Sequence, residues 1–237
     1  MTEFPALAVV IPAAGIGKRM QANVAKQYLK IDELTILEHT INAFVDLPFV
    51  KTLVVTLAQN DDLFPTLGIS THEKVVVVPG GAERANSVFN GLNYLKNTNV
   101  DWVMVHDAAR PCLRQNDIET LFSACLEQQC SGILASRVRD TMKRAKAASC
   151  DIAQTVDRDA LWHALTPQCS KVDNLHLALL QALDEDGDVA PEITDEASAL
   201  ELYGERVILV PGSVRNIKIT HPEDLSLAKI FINSELS

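Results

Sequence analysis

Short uninterrupted apolar runs alternate along the chain with longer stretches whose apolar residues recur every three or four positions. Ala8-Val-Val-Ile11, closed by Pro12 and a glycine-bearing loop, is one such run; Leu53–Leu57, Val75–Val78, Trp102–His106 and Gly132–Ala135 repeat it. Runs of this length without polar alternation suit strands covered on both faces. Val207–Val210 and Ile217–Ile219 add two late strands. Between the runs, Leu37, Ile41, Phe44 and Val45 share one helical face, as do Val88, Leu92 and Leu95, and Ile118, Leu121 and Cys125. The last segment opens Thr220-His-Pro-Glu223, read as a capping box with a proline in the first turn of an apolar-striped helix.

Strands alternating with helices at this spacing predict an α/β fold. The expected architecture is a mostly parallel twisted sheet with helices on both faces, built by residues 1–237 as one domain. Such sheets bind ligands beyond the carboxyl ends of their strands, so the chemistry belongs to the loops that follow them. From Arg137 to Arg158 the rhythm breaks, with Arg139, Lys143, Arg144 and Lys146 crowded together. That stretch is too long for a compact loop and too polar for a core. It is either a solvated charge run or an excursion that works on a partner or a ligand.

Composition narrows the class. Of the 237 residues, 47% are apolar and 22% charged, the balance of a soluble chain able to bury a sizeable core. No membrane-spanning run and no basic-flanked leader stand out, so the expected location is the cytoplasm. Five cysteines without a Cys-x-x-Cys pair argue against zinc or a disulfide framework. A net charge of −10 argues against a nucleic-acid surface. It leaves room for a small polyanion held by a few converging cations.

Three loops carry such candidates. Pro12-Ala13-Ala14-Gly15-Ile-Gly17-Lys18-Arg19-Met20 follows the first strand, with Lys26 close behind. Its small residues let backbone N–H groups approach a phosphate, and its three cations suit a triphosphate. The dinucleotide fingerprint would need glycine at Met20 and the Walker loop would need Gly-Lys-Ser/Thr, so neither fits. Pro79-Gly-Gly81-Ala82-Glu-Arg-Ala-Asn-Ser87 follows the third strand and can present bare backbone and a hydroxyl to a base, or serve only as a turn before a capped helix. His106-Asp107-Ala108-Ala-Arg110-Pro follows the fourth. Asp107 there is a candidate ligand for Mg²⁺ or a plain turn cap, and His106 reads as a packed histidine. Thr194 and Asp195 read as a helix cap, while Lys218, set between two isoleucines, points either to solvent or to an anion.

Taken together, Pro12–Met20, Lys26-Gln-Tyr28, His106–Pro111, Asp140-Thr141-Met-Lys143, Thr155–Arg158, Thr166-Pro-Gln168, Thr194–Ala197 and Asn216–Thr220 resemble the 2-C-methyl-D-erythritol 4-phosphate cytidylyltransferase family. The blocks occur in order over nearly the whole chain. The resemblance implies a Rossmann-like nucleotidyltransferase fold with a protruding, dimerising β-arm at about residues 137–158, a homodimer, and Mg²⁺ as cofactor. It also implies CTP and methylerythritol phosphate as substrates. By position, Arg19 and Lys26 would stabilise the transition state at the α-phosphate, and Arg158 and Lys218 would place the polyol phosphate. Pro12, Ala13, Ala14, Gly15, Gly17, Lys18, Gly81, Ala82, Ser87, Asp107 and Ala108 would seat the nucleotide. Arg110, Thr141 and Thr194 would help hold the second substrate, and Asp107 the metal. Two positions depart from the family pattern: Ala25 stands where proline is usual and Ala82 where an acidic residue is common. Ribitol 5-phosphate is the alternative acceptor; a nicotinamide-dependent dehydrogenase and an inactive nucleotide-binding regulator are the alternatives of other classes.

Overall fold

A computed structural model describes residues 4–15, 24–184 and 187–234. Its main sheet has seven strands in the order β11-β7-β10-β6-β1-β4-β5. In chain sequence these are β1 (Leu7–Pro12), β4 (Val50–Leu57), β5 (Val75–Pro79), β6 (Trp102–Val105), β7 (Ser131–Arg137), β10 (Trp162–Lys171) and β11 (Val207–Pro211). All pairings are parallel except those of β10, which runs antiparallel between β6 and β7. The mostly parallel sheet is therefore as expected, whereas β10 has no counterpart among the sequence-predicted strands. Ile217–Ile219, expected as a strand, joins no ladder; the N–H of Ile219 donates instead to the carbonyl of Ala109 at 2.9 Å.

The central strand shows why its sequence is apolar throughout. Leu7, Val9 and Ile11 face one layer, with Leu37, Ile41 and Phe44 of α1 (Ile36–Val45) and Phe122 of α3 (Gln115–Gln128). Ala8 and Val10 face the other, with Val88 and Leu92 of α2 (Arg84–Leu95) and Leu175 and Leu179 of α4 (Val172–Ala182). Alternate side chains of a strand point to opposite faces, so a strand covered twice has no polar position to spare. Helix α2 lies so close to β1 that a Cβ at Gly91 would stand 2.8 Å from Val10 Cγ1.

Local signals start the helices. Thr35 and Glu38 form a reciprocal capping box on α1, an arrangement worth about 1 kcal/mol. On α6 (Pro222–Asn233) the box is shifted by one residue from the sequence reading: His221 is the cap and Asp224, not Glu223, accepts from the backbone N–H groups of Thr220 and His221. A short helix, α5 (Glu196–Leu202), starts at the cap Asp195. Two small hairpins complete the fold: β2 (Lys30–Ile31) with β3 (Leu34–Thr35), and β8 (Met142–Ala145) with β9 (Ile152–Val156). The second is the basic excursion, and nearly all its side chains are exposed.

The chain passes from β1 to β4 and β5 on one side, then returns to place β6 on the other side of β1. At that reversal the loops after β1 and β6 diverge and leave a crevice at the carboxyl ends of both.

Candidate active site

That crevice holds a cavity of about 360 Å³. Pro12, Ala13, Ala14 and Gly15 form one wall, Gly81, Ala82 and Ser87 another, and Asp107 and Ala108 the floor, with Lys26 and Lys218 at the sides. Three loops far apart in sequence meet there because parallel strands deliver their carboxyl ends to one edge.

Each wall is fixed by its own bonds. The N–H of Ala13 donates to Thr56 O at 2.8 Å and that of Gly80 to Leu57 O at 2.7 Å. Ser87 Oγ accepts from the N–H of Gly81 at 3.0 Å and donates to Glu83 O at 3.1 Å, which ties the glycine turn to α2. A Cβ at Gly81 would fall 2.3 Å from Asn86 Cβ, so only glycine fits. Lys26 opens a single 3-10 turn, Lys26–Tyr28. Its neighbours anchor it: Gln27 Nε2 donates to Ala13 O at 2.7 Å, and Tyr28 Oη donates to Asp61 Oδ2 at 2.6 Å. Lys26 Nζ itself donates to Ile219 O at 3.2 Å, beside Lys218.

Asp107 is the electrostatic centre. Arg84 Nε reaches Oδ1 at 3.0 Å, while Arg110 Nε and Lys218 Nζ reach Oδ2 at 3.3 and 2.9 Å. Burial alone would raise its pKa, but the charges of Arg84, Lys218 and Arg110 outweigh that and hold it well below the usual carboxylate range. Arg84 also forks onto Glu196, Nη1 to Oε1 at 2.6 Å and Nη2 to Oε2 at 3.0 Å. Arg110 Nη1 donates to Asn216 O at 2.7 Å, and Asn216 Nδ2 donates to Thr166 O at 2.7 Å.

His106 supports this floor from below and is packed, as its sequence context implied. It is fully buried, with Phe44 edge-on to its ring at 5.3 Å. Its Nε2 faces Arg110 O at 3.1 Å, so that nitrogen carries the proton. Nδ1 lies 2.9 Å from Thr166 Oγ1, which already accepts from the N–H of Asp107 at 3.2 Å. In the neutral imidazole with Nε2 protonated, Nδ1 accepts the Thr166 hydroxyl proton. Burial agrees, pushing the His106 pKa down to about 4.

A family model described as 2-C-methyl-D-erythritol 4-phosphate cytidylyltransferase matches residues 7–234. The chain belongs to this family. A cytidylyltransferase of that name from Vibrio parahaemolyticus is 51% identical over 227 residues, covering 95% of both chains. One from Escherichia coli is 48% identical over 223 residues, covering 94% of this chain and 92% of its own. The crystal structure of the Francisella tularensis cytidylyltransferase superposes with a TM-score of 0.80 at 38% identity, over 95% of this chain and 99% of that one.

Against the cytidylyltransferase pattern, the cavity unites Pro12 to Gly15, Lys26, Gly81, Ala82, Ser87, Asp107, Ala108 and Lys218, with Arg110 attached through Asp107. Gly17, Lys18 and Arg19 lie outside the described residues. Three residues expected on the polyol side lie elsewhere within the chain. Thr194 lines a smaller neighbouring cavity with Arg84 and Glu196. Arg158 lines a separate open cleft with Arg137, Arg139 and Trp162, and its Nη1 donates to Arg139 O. Thr141 sits exposed beside the β8–β9 hairpin. Lys218 does point at an anion, though from an irregular segment rather than a strand. Sequence reasoning assigned no role to Arg84, Glu196 or Gln27. Arg84 lies within Pro79–Ser87 and Glu196 within Thr194–Ala197, but only the fold joins them across 112 positions.

Proposed function

We propose that this chain transfers CMP from CTP to the phosphate of 2-C-methyl-D-erythritol 4-phosphate, releasing pyrophosphate, in isoprenoid precursor synthesis. The observation that carries this reading is the meeting of a phosphate-cradling loop, Lys26, Lys218 and Asp107 in one crevice of a member of the family. The family model and the relatives carry the methylerythritol name, so ribitol 5-phosphate is not favoured as acceptor.

A phosphate monoester is already an anionic nucleophile, so no covalent enzyme intermediate is required. Its oxygen attacks the α-phosphorus of CTP in line; a new P–O bond forms as the bond to the β-phosphate bridging oxygen breaks. The work of the protein is to bring two polyanions together and neutralise charge as it shifts. The Ala13 to Gly15 backbone cradles the triphosphate, and Lys26, with Arg19, stabilises the charge developing around the α-phosphate. Gly81, Ala82 and Ser87 seat the cytidine, where backbone groups read the base and the lack of an acidic side chain at position 82 is tolerated. Lys218 and Arg110, both already at Asp107, receive the polyol phosphate.

Among the described residues no group of three metal-ligating side chains converges. Two carboxylate residues, Asp107 and Glu83, line the cavity, a donor set that fits Mg²⁺ carried in with a triphosphate, since such an ion takes one or two carboxylates and otherwise phosphate oxygens and water. Asp107 would hold the ion, which when bound would offset charge on the triphosphate. Lys218, whose side chain is 40% exposed, is the partner of Asp107 best able to turn away toward a substrate phosphate.

The reading includes a homodimer. A two-stranded hairpin with exposed side chains has marginal stability alone. Thr141 and Arg158, remote from Lys26 in their own chain, would reach the cavity of a twofold-related subunit. We place the enzyme in the cytoplasm; among the described residues no helix is long and apolar enough to cross a membrane. Lys26→Ala tests the charge assignment: kcat should fall roughly 10²-fold or more with little change in CTP affinity. Near-normal kcat would remove Lys26 from the mechanism.

A further inference from the structure

The bonds that hold Asp107 do not end at the cavity. Arg84 is the first residue of α2, and Glu196 is the first residue of α5. A guanidinium is a rigid planar fork with five N–H donors. Once two of its nitrogens are held bidentate by one carboxylate, the direction of the third is no longer free. Glu196, with a side chain 2% exposed, takes Nη1 and Nη2, and the Nε–H then aims at Asp107 Oδ1. With Oδ1 anchored, Oδ2 is turned toward Arg110 and Lys218.

Charge points the same way. Arg84, Arg110 and Lys218 against Asp107 and Glu196 leave the cluster at +1. Without the Glu196 charge it would be +2, with three cations competing for one carboxylate. Arg84 would then be drawn wholly onto Asp107, changing both its orientation and its availability to Lys218.

We infer that Glu196 is a positioning residue for nucleotidyl transfer: through Arg84 it fixes the orientation of the Asp107 carboxylate, and with it the place of Lys218. This rests on the cavity being the cytidylyl-transfer site. Arg84 forms part of the wall of the cavity and Glu196 does not, so the influence of Glu196 on that cavity passes through the guanidinium.

The experiment uses the full chain and pyrophosphate release from CTP and methylerythritol phosphate, with wild type measured alongside. Absence of wild-type turnover would count against the reaction assignment rather than against Glu196. Glu196→Gln keeps the shape and one acceptor while removing the charge. Its kcat should fall roughly 10- to 100-fold, the scale of a small misplacement at a reacting centre, with KM for CTP within about twofold. In an Arg84→Gln background the same change should cost no further kcat, because the intermediary is gone. In ¹⁵N-labelled protein the Arg84 Nε–H resonance, assigned by its loss in Arg84→Gln, should shift in Glu196→Gln. A folded Glu196→Gln with wild-type kcat, or an equal loss of kcat in the Arg84→Gln background, overturns the inference. Should Glu196→Gln not fold, Glu196→Asp carries the test, since it keeps the charge but draws it back by one methylene. A lower kcat at unchanged KM for CTP supports the inference, and unchanged kcat refutes it.

Discussion

Replacing Asp107 by asparagine keeps the outline of the side chain and removes the charge that three cations share. The cost can be worked from each partner. Lys218 is 40% exposed and can return to solvent, so its 2.9 Å bond adds little. Arg84 keeps both bonds to Glu196 and loses only its Nε contact at 3.0 Å. Arg110 suffers most, because its side chain is 10% exposed and it keeps the single carbonyl of Asn216. Breaking a buried ion pair from one side costs about 3–5 kcal/mol. The amide oxygen can still accept one of these bonds, so the lower end, about 3 kcal/mol, applies. At about 2–4 °C per kcal/mol for a chain of this size, Tm should fall by roughly 6–12 °C. Thermal unfolding by circular dichroism reads that shift, and pyrophosphate release should drop steeply and recover only in part at high Mg²⁺. A Tm within about 2 °C of wild type would show that the three contacts carry little energy, and the reasoning from burial would fail. Unchanged metal dependence would remove Asp107 from the metal.

Two further outcomes follow from the same geometry. The His106 pKa lies near 4 in the fold against 6.5 in a free side chain, so between those values the unfolded chain binds more protons. Stability is therefore fully present above about pH 6.5 and declines by about 3 kcal/mol toward pH 4; urea unfolding of His106→Gln should show a flatter profile over that window, and an identical slope refutes the assignment. If the arm is exchanged between subunits, mixing Lys26→Ala chains with Thr141-disrupted chains should restore activity beyond either homodimer, since one site of the heterodimer escapes both lesions. Verified heterodimers without recovery would place Thr141 in its own chain's site.

The parallel strands were legible because double coverage leaves short apolar runs rich in valine and isoleucine, too short for a helix and several of them closed by proline or glycine. Strand β10 was not: Trp162-His-Ala-Leu-Thr-Pro-Gln-Cys-Ser-Lys171 mixes polar residues and a proline, and it is a strand because β6 and β7 flank it. Ile217–Ile219 erred the other way. Its apolar–polar–apolar pattern placed Lys218 on the correct side, but the backbone that alternates there pairs with a loop carbonyl rather than a ladder. The loops after β1 and β5 stood out for their glycines and small residues, yet a plain turn fitted them as well; the fold is what brings both to one cavity. The Gln27 anchor and the Arg84–Glu196 fork could not be read, since each depends on an encounter between segments that no local spacing records. Thr141 and Arg158 were named by the family resemblance alone, and within one chain neither lines the cavity.

The reaction itself is tested by pyrophosphate release from CTP with purified enzyme and either 2-C-methyl-D-erythritol 4-phosphate or ribitol 5-phosphate as acceptor. Turnover with the methylerythritol phosphate, at least about tenfold above ribitol phosphate in kcat/KM, is the predicted result. Equal or greater turnover of ribitol phosphate, or release with neither acceptor by a folded protein, would contradict it.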